Sequence, residues 1–264
     1  MTLPVTIEAV SFWSSRLPGW DIARAVIRGE QPPPDTMSAR PAPTLLAPTE
    51  RRRAPDTVAV ALEVAVRACE AAGRTPAELP SVFASTHGDL AISDYMCTTL
   101  ASTPALISPV KFHNSVHNAA AGYWSIGTGS LAPYTAISAY EYTFGAGLLE
   151  AATQVICEGK PVLYVAFDIE SKGALATVAP SRGLLGAALV LSPAVQGASR
   201  RSLILSTELV AAVEPTPARS AAAALVADNA LAPCMALIEA LALSSPCTLQ
   251  LALSRRTALN VQVS

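Results

Sequence analysis

The chain has 264 residues, half of them apolar and only 14% charged, with a formal net charge of −2. That length buries a substantial core, the charge balance leaves no electrostatic footprint for nucleic acid, and no apolar run reaches the ~20 residues that cross a bilayer. The opening MTLPVTIEAVSFW carries Glu8 and no basic n-region, so it does not read as a secretory signal, and a cytoplasmic location is the expectation.

VTIEAVSFW alternates and predicts a first strand. Residues 20–29 predict a short helix ended by Gly29. Seven prolines between Pro32 and Pro55 predict an irregular loop. Beyond it, TVAVALEVAVRACEAAG runs at helical period to Gly73, with cap candidates at Pro55, Asp56 and Thr57. LPSVFAST predicts a strand ending in the polar turn HGDL. SDYMCTTLAS then predicts a helix with Ser93 as N-cap, and HNSVHNAAAGYWSIGTG a tightly packed helix.

YTAIS predicts the next strand and GLLEAATQVICEG the helix after it. The bounded apolar runs PVLYVAFDI and GAALVLSP predict further strands, the first of them buried and of parallel type. Past residue 193, RSLILSTELVAAVE predicts one or two strands, PTPARSAA a loop and NALAPCMALIEALAL a helix. CTLQLALSRRTALNVQVS predicts a hairpin turning at SRRT. Strands alternating with helices give an α/β layered domain, and no sharp linker divides the chain. The five cysteines are scattered without a CxxC pair. They read as reduced, mostly buried thiols, with Cys69 and Cys157 as small core residues.

The stretch ISAYEYTFGAG ends one strand and opens one helix. Such an elbow is where many α/β enzymes expose a nucleophile, yet this one holds no Cys. Ser138 and Thr143 are candidate hydroxyl nucleophiles, but no His follows His117 to serve them as a base. His113 and His117 stand four apart, which suits either two metal ligands or a packed turn. His87 beside Asp89 reads either as a base or as part of a polar strand-end turn.

In order and spacing, four segments resemble the β-ketoacyl synthase branch of the thiolase superfamily. They are ERRRAPDTVAVALEVAVRACEAAG, VFASTHGD, residues 107–169 and RGLLGAALVLSP. The pattern SAxExTFxAGLLEA over residues 138–151 resembles the short, chain-length-factor-type members of aryl polyene and xanthomonadin-type pigment clusters.

The resemblance implies a thiolase-like αβαβα layered architecture with a truncated second half. One ketoacyl-synthase-like domain would cover 1–264, with 1–193 as first-half core and 194–264 as shortened second half. By the same resemblance the nucleophile position falls on Tyr142, or on Glu141 if the turn differs by one residue, and neither forms an acyl thioester. The family's two later histidines are absent, and the only lysines after residue 159 are Lys160 and Lys172.

The implied role is a non-catalytic chain-length-factor-like subunit, paired as a heterodimer with an active ketosynthase. It would shape the acyl tunnel for a growing polyene held by an acyl carrier protein, with no cofactor and no metal. Tyr95, Met96, Thr99, Leu100 and Phe144 are its candidate tunnel or interface residues. Arg51, Arg52 and Arg53 are candidates for docking the anionic carrier or for contacts across the subunit. The alternative is a stand-alone condensing enzyme or acyltransferase using an unusual residue, Glu141 or His87. A homodimer that binds an acyl chain also stays open.

Overall fold

The computed structural model describes residues 2–194 and 201–264. In chain order it contains β1 (Thr2–Ser14), α1 (Trp20–Ile27), α2 (Pro48–Arg53), α3 (Asp56–Ala72), β2 (Ser81–Ala84) and α4 (Leu90–Ser102). There follow α5 (Pro109–His113), α6 (Ala119–Thr128), β3 (Tyr134–Ile137), α7 (Thr143–Glu158), β4 (Val162–Asp168) and β5 (Leu185–Pro193). The remainder is β6 (Ser202–Leu209), α8 (Ala221–Ala224), α9 (Met235–Leu243), β7 (Cys247–Ala252) and β8 (Thr257–Val263). Among the described residues no helix is long and apolar enough to cross a membrane.

All eight strands join one mixed sheet in the order β3-β2-β4-β5-β1-β6-β8-β7. β3, β2 and β4 run parallel, and the remaining pairs are antiparallel. β4 and β5 read as unbroken apolar runs because both their faces are covered. On one face α3 and α6 pack Val58, Leu62, Val64 and Trp124 against Phe83, Leu163, Val165 and Val190. On the other, α7, α9 and α1 fill a second core with the inward residues of β2, β4, β5, β1, β6, β8 and β7. Each fully buried Leu, Val or Phe there contributes about 1.5–3 kcal/mol.

Two glycines show how the sheet wraps around α7. Residues two apart on a helix point to opposite sides, about 200° apart. A Cβ on Gly145 would meet the Ala252 carbonyl at the end of β7 at 2.8 Å. A Cβ on Gly147 would meet the Tyr164 ring at 2.7 Å and Ala84 Cβ at 2.9 Å, on β4 and β2. The first turns of α7 are therefore clamped between the two ends of one curled sheet. The outward face of β6, β8 and β7 is polar: Asn260 donates to Glu208 Oε2 (2.8 Å), and Gln250 donates to Asn260 Oδ1 (3.0 Å). The architecture is thus a thiolase-like stack with no helical layer over the outward face of β6, β8 and β7 among the described residues, and there the second half is truncated.

Several expectations change. The proline-rich stretch contains one helix, α2, opened by Pro48, whose fixed φ suits a first turn. α4 starts three residues before Ser93, at Leu90, with Asp89 as its cap: Asp89 accepts from Ile92 N at 3.0 Å, and the Ser93 hydroxyl donates back to the Asp89 carbonyl. His113 and His117 do not share a helix, because α5 ends at His113 and α6 begins at Ala119. Residues 202–209 make one strand. All five thiols are free, but Cys97, Cys157 and Cys247 are exposed, so only Cys69 and Cys234 act as core residues. Burial pushes the Cys69 thiol up to about 12. The sequence places the boundary of the halves at 193/194, and residues 195–200 just after it lie outside the described residues.

Candidate functional site: the elbow between β3 and α7

β3 leads through Ser138 and Ala139 into a single 3-10 turn, Tyr140–Tyr142, and then into α7. Tyr140 is the apex. Its φ of +53° lies in the left-handed region, which a bulky side chain occupies only under constraint. The constraint is visible on both flanks. The buried Thr143 hydroxyl accepts from Ala139 N at 2.9 Å and donates to the Tyr140 carbonyl at 2.6 Å. The Tyr140 ring meets the His87 ring edge-on, and its hydroxyl donates to the Val178 carbonyl at 3.1 Å. Thr143 is thus committed to holding the turn. The Ser138 hydroxyl is likewise engaged, donating to the Thr86 carbonyl at 2.9 Å.

Beneath the apex, the carboxyl ends of the parallel strands converge on Asp168, the last residue of β4, which is 1% exposed. Its carboxylate accepts from Ser85 Oγ (2.9 Å), Thr86 N (2.9 Å) and Thr86 Oγ1 (2.6 Å). Burial raises its pKa, and the Thr86 and Ser85 hydrogen bonds oppose that. His87 is displaced in the other direction: burial lowers its pKa, with the Asp168 charge opposing. His117 Nε2 lies 2.8 Å from the Ser85 carbonyl. Asp89 is spent on capping α4, so the polar neighbour of His87 is Asp168 rather than Asp89.

On the side of α7 that faces the second half lies a cavity of about 360 Å³. Glu141, Tyr142, Phe144 and Gly145 form one wall; Pro215–Ala218, Pro233, Ala236 and the end of β7 form the others. At its rim the Tyr142 hydroxyl feels the Glu141 carboxylate and, in the opposite sense, the Arg255 guanidinium. The Glu141 carboxylate at that hydroxyl holds its pKa above the ordinary tyrosine value. The structure therefore gathers Glu141, Tyr142 and Phe144 at one cavity.

The four α4 candidates are placed differently. The Tyr95 hydroxyl donates to the Leu106 carbonyl (3.3 Å) and accepts from Ser108 N (3.0 Å), fastening α4 to the segment after it. Thr99 is buried, Met96 half-buried and Leu100 exposed. Between α4 and β3 the chain exposes Leu106, Phe112 (62% exposed), Val116, Ile126 (81% exposed) and Leu131, and Phe112, Val116 and Ile126 line one apolar groove. β3 itself is an edge strand. Arg51 is half-buried and donates to the Leu46 carbonyl at 3.1 Å, whereas Arg52 and Arg53 are exposed at the end of α2. His113 turns its ring to Tyr123, and among the described residues no three His, Cys, Asp or Glu side chains gather as for a metal.

Tyr140, Asp168 and Arg255 escape the sequence reading. Asp168 carries a visible signal, a lone acid closing an apolar strand. Tyr140 and Arg255 carry none, since a backbone angle and a contact across the fold decide their roles.

A parallel strand that turns through a strained apex into a helix clamped between the two ends of one curled sheet defines a ketosynthase-type, thiolase-like fold. The chain belongs to the β-ketoacyl synthase family: the family model described as "Beta-ketoacyl synthase, N-terminal domain" matches residues 27–253. Among solved structures, it resembles a chain of the "Ketosynthase (ApeO) in Complex with its Chain Length Factor (ApeC) from Xenorhabdus doucetiae", with TM-score 0.73 and 18% identity over 98% of this chain and 99% of that one. It also resembles "The ishigamide ketosynthase/chain length factor", with TM-score 0.70 and 15% identity over 99% of each chain. Against ketosynthase twelve of the bacillaene polyketide synthase from Bacillus amyloliquefaciens, TM-score 0.55 and 14% identity, it covers 80% of itself and 46% of that chain. These likenesses are of fold. A sequence search of curated proteins finds no match.

Proposed function

We propose that this chain is a non-condensing, chain-length-factor-like subunit that pairs with an active ketosynthase and walls part of the tunnel for a carrier-bound polyene. The observation that carries the reading is the elbow. A thioester needs a thiol at the apex, where the turn exposes it, and the apex residue is Tyr140, with Ser138 and Thr143 both engaged in backbone hydrogen bonds. Two things support a partner. The neighbours in fold include complexes described as ketosynthase with chain length factor. The apolar surface from α4 to the open β3 edge is of a kind that marks an interaction site.

In this reading the chain forms one domain and works in the cytoplasm. Met96 and Thr99 border the tunnel, and a larger side chain at either shortens the product by filling volume that a packed interior cannot yield. Glu141 and Tyr142 take the degenerate nucleophile position, and the carrier protein meets the assembly mainly through the partner, with Arg52 and Arg53 as further contacts. The test is to purify the chain alone and co-expressed with the ketosynthase encoded beside it. Mass measurement and a malonyl condensation assay follow. A one-to-one complex, active only with both subunits, is expected. Turnover by the isolated chain overturns the reading in favour of a stand-alone enzyme, and a homodimer that ignores the ketosynthase overturns it in favour of a simple acyl-binding protein.

A further inference from the structure

At Glu8 a bulge shifts the register of β1 against β5. β1 pairs with β6 only over Thr2–Thr6, so these two strands part at the bulge. A cavity of about 380 Å³ lies there, lined by Ile7–Val10 and closed by α1 and the ends of α3 and α9. Its volume is within the range for small-molecule sites, roughly 300–1,000 Å³.

Three arginines line it: Arg24, Arg28 and Arg201. Arg24 and Arg28 stand four apart at the end of α1 and so share a face. The last turn of α9 takes one edge of two of these guanidiniums. Arg28 Nε donates to the Ala242 carbonyl at 2.7 Å and its Nη2 to Ser244 Oγ at 2.9 Å, while Arg201 Nη1 donates to the Ala240 carbonyl at 3.3 Å. Ile7 N donates to the Arg201 carbonyl at 2.9 Å and fixes its backbone. A guanidinium carries five N–H donors in a planar fork, so both arginines keep donors to spare.

The charges around this space do not cancel. The one acid of the lining, Glu8, takes a bidentate pair of hydrogen bonds from Arg74 at 2.7 and 2.6 Å. Arg24 and Arg28 pair with Asp21 and Glu30, both exposed, and such pairs contribute little. Arg201 makes no ion pair among the described residues. Its pKa is lowered, first by burial and then by the charge of Arg28. Capping the last carbonyls of α9 explains one cation. It does not explain three on one cavity, where like charges repel. An anion of more than one negative charge removes that repulsion and takes the spare donors in the fork geometry that suits phosphate. Half-buried Trp20 and buried Leu241 offer an apolar surface beside it.

We infer that this cavity binds a phosphomonoester, its dianion held by Arg24, Arg28 and Arg201 and its organic group laid on Trp20. The site is separate from the elbow. Ile7 and Val162 both pair with Leu191, whereas Ser14 and Asp168 both pair with Leu185. The cavity therefore opens at the end of the sheet opposite Asp168, roughly 20 Å away along the strands. It does not rest on the subunit reading and stands or falls separately from it.

The test is calorimetric titration of the purified full chain with phenyl phosphate, inorganic phosphate, benzoate and phenol. Saturable one-to-one binding of phenyl phosphate is expected, with the other three weaker. Arg201→Gln should weaken phenyl phosphate at least about tenfold, the scale of a lost hydrogen bond to a charged group. Ala71→Glu sets a carboxylate at an exposed lining residue and should also weaken it. That variant decides the matter if Arg201→Gln does not fold, which melting curves show. Arg256→Gln, exposed in the turn between β7 and β8, should change nothing. Absence of saturable binding overturns the inference, as does benzoate binding as tightly as phenyl phosphate, or phenyl phosphate binding unmoved by both Arg201→Gln and Ala71→Glu. Inorganic phosphate binding as tightly as phenyl phosphate overturns the place given to Trp20.

Discussion

The rings of Tyr140 and His87 meet edge-on, with centroids 5.9 Å apart and planes at 61°. This contact and the Tyr140–Val178 hydrogen bond hold a bulky residue at a φ of +53°. A β-branched side chain tolerates that angle least, and asparagine tolerates it among the best. Tyr140→Val should therefore be less stable than Tyr140→Asn by about 1–2 kcal/mol in urea unfolding. Equal midpoints for the two variants would mean that the apex is unstrained.

Gly145 and Gly147 invert an ordinary rule. In a helix interior, alanine for glycine stabilises by about 1 kcal/mol. Here the added methyl would meet the Ala252 carbonyl or the Tyr164 ring closer than 3 Å, so each substitution should destabilise by about 1–3 kcal/mol. Denaturant midpoints above wild type for either variant would show that α7 is not clamped between the sheet's two ends.

Asp168→Ala leaves Ser85 Oγ, Thr86 N and Thr86 Oγ1 without their acceptor. A loss of roughly 2–4 kcal/mol is expected. Asp168→Asn keeps the shape and one carbonyl acceptor while removing a desolvated charge, so it should cost far less. Similar losses in the two variants, read by thermal melts at neutral pH, would contradict this account of the network.

Two groups give opposite pH dependences. His87 has its folded pKa lowered, so its contribution to stability is fully present above the ordinary value of 6.5 and is lost as pH falls through the lowered one. Asp168 has its folded pKa raised, so its contribution is fully present below 3.8 and is lost as pH rises through the raised value. Between pH 7 and 5.5, His87→Gln should therefore flatten the decline in melting temperature on acidification. An unchanged slope would place His87 outside that decline.

The apolar surface can be tested without disturbing the fold. Phe112→Asp and Ile126→Asp alter exposed side chains, so stability should move by no more than about 0.5 kcal/mol, while co-purification with the ketosynthase should be lost. Retention of the complex by the double variant would direct the search for the interface elsewhere.

Most elements announce themselves in the sequence. Gly73 and Gly159 end α3 and α7 at φ values of +64° and +63°, and the runs VLYVAFD and LGAALVLS are buried end to end. The misreadings share a cause: a local rule was outbid by the fold. Ser93 is a good cap by type, yet the turn packed beneath the elbow delivers Asp89 to the first free amides instead. Cys157 sits among apolar neighbours in sequence, yet its side of α7 faces out. At the site, the missing thiol and the cavity-lining pair Glu141 and Tyr142 are legible. The apex is not, because tyrosine has no preference for positive φ and only the contacts with His87 and Val178 hold it there.

β1 precedes the other seven strands of the sheet in chain order and lies in its middle, between β5 and β6. Neither neighbour exists until Pro193 and Leu209 have been synthesised. Until then, a 13-residue, largely apolar segment waits with both edges unpaired, the condition that favours slow closure and aggregation. The sheet cannot assemble in chain order: the strand that precedes its seven partners is among the last to be enclosed.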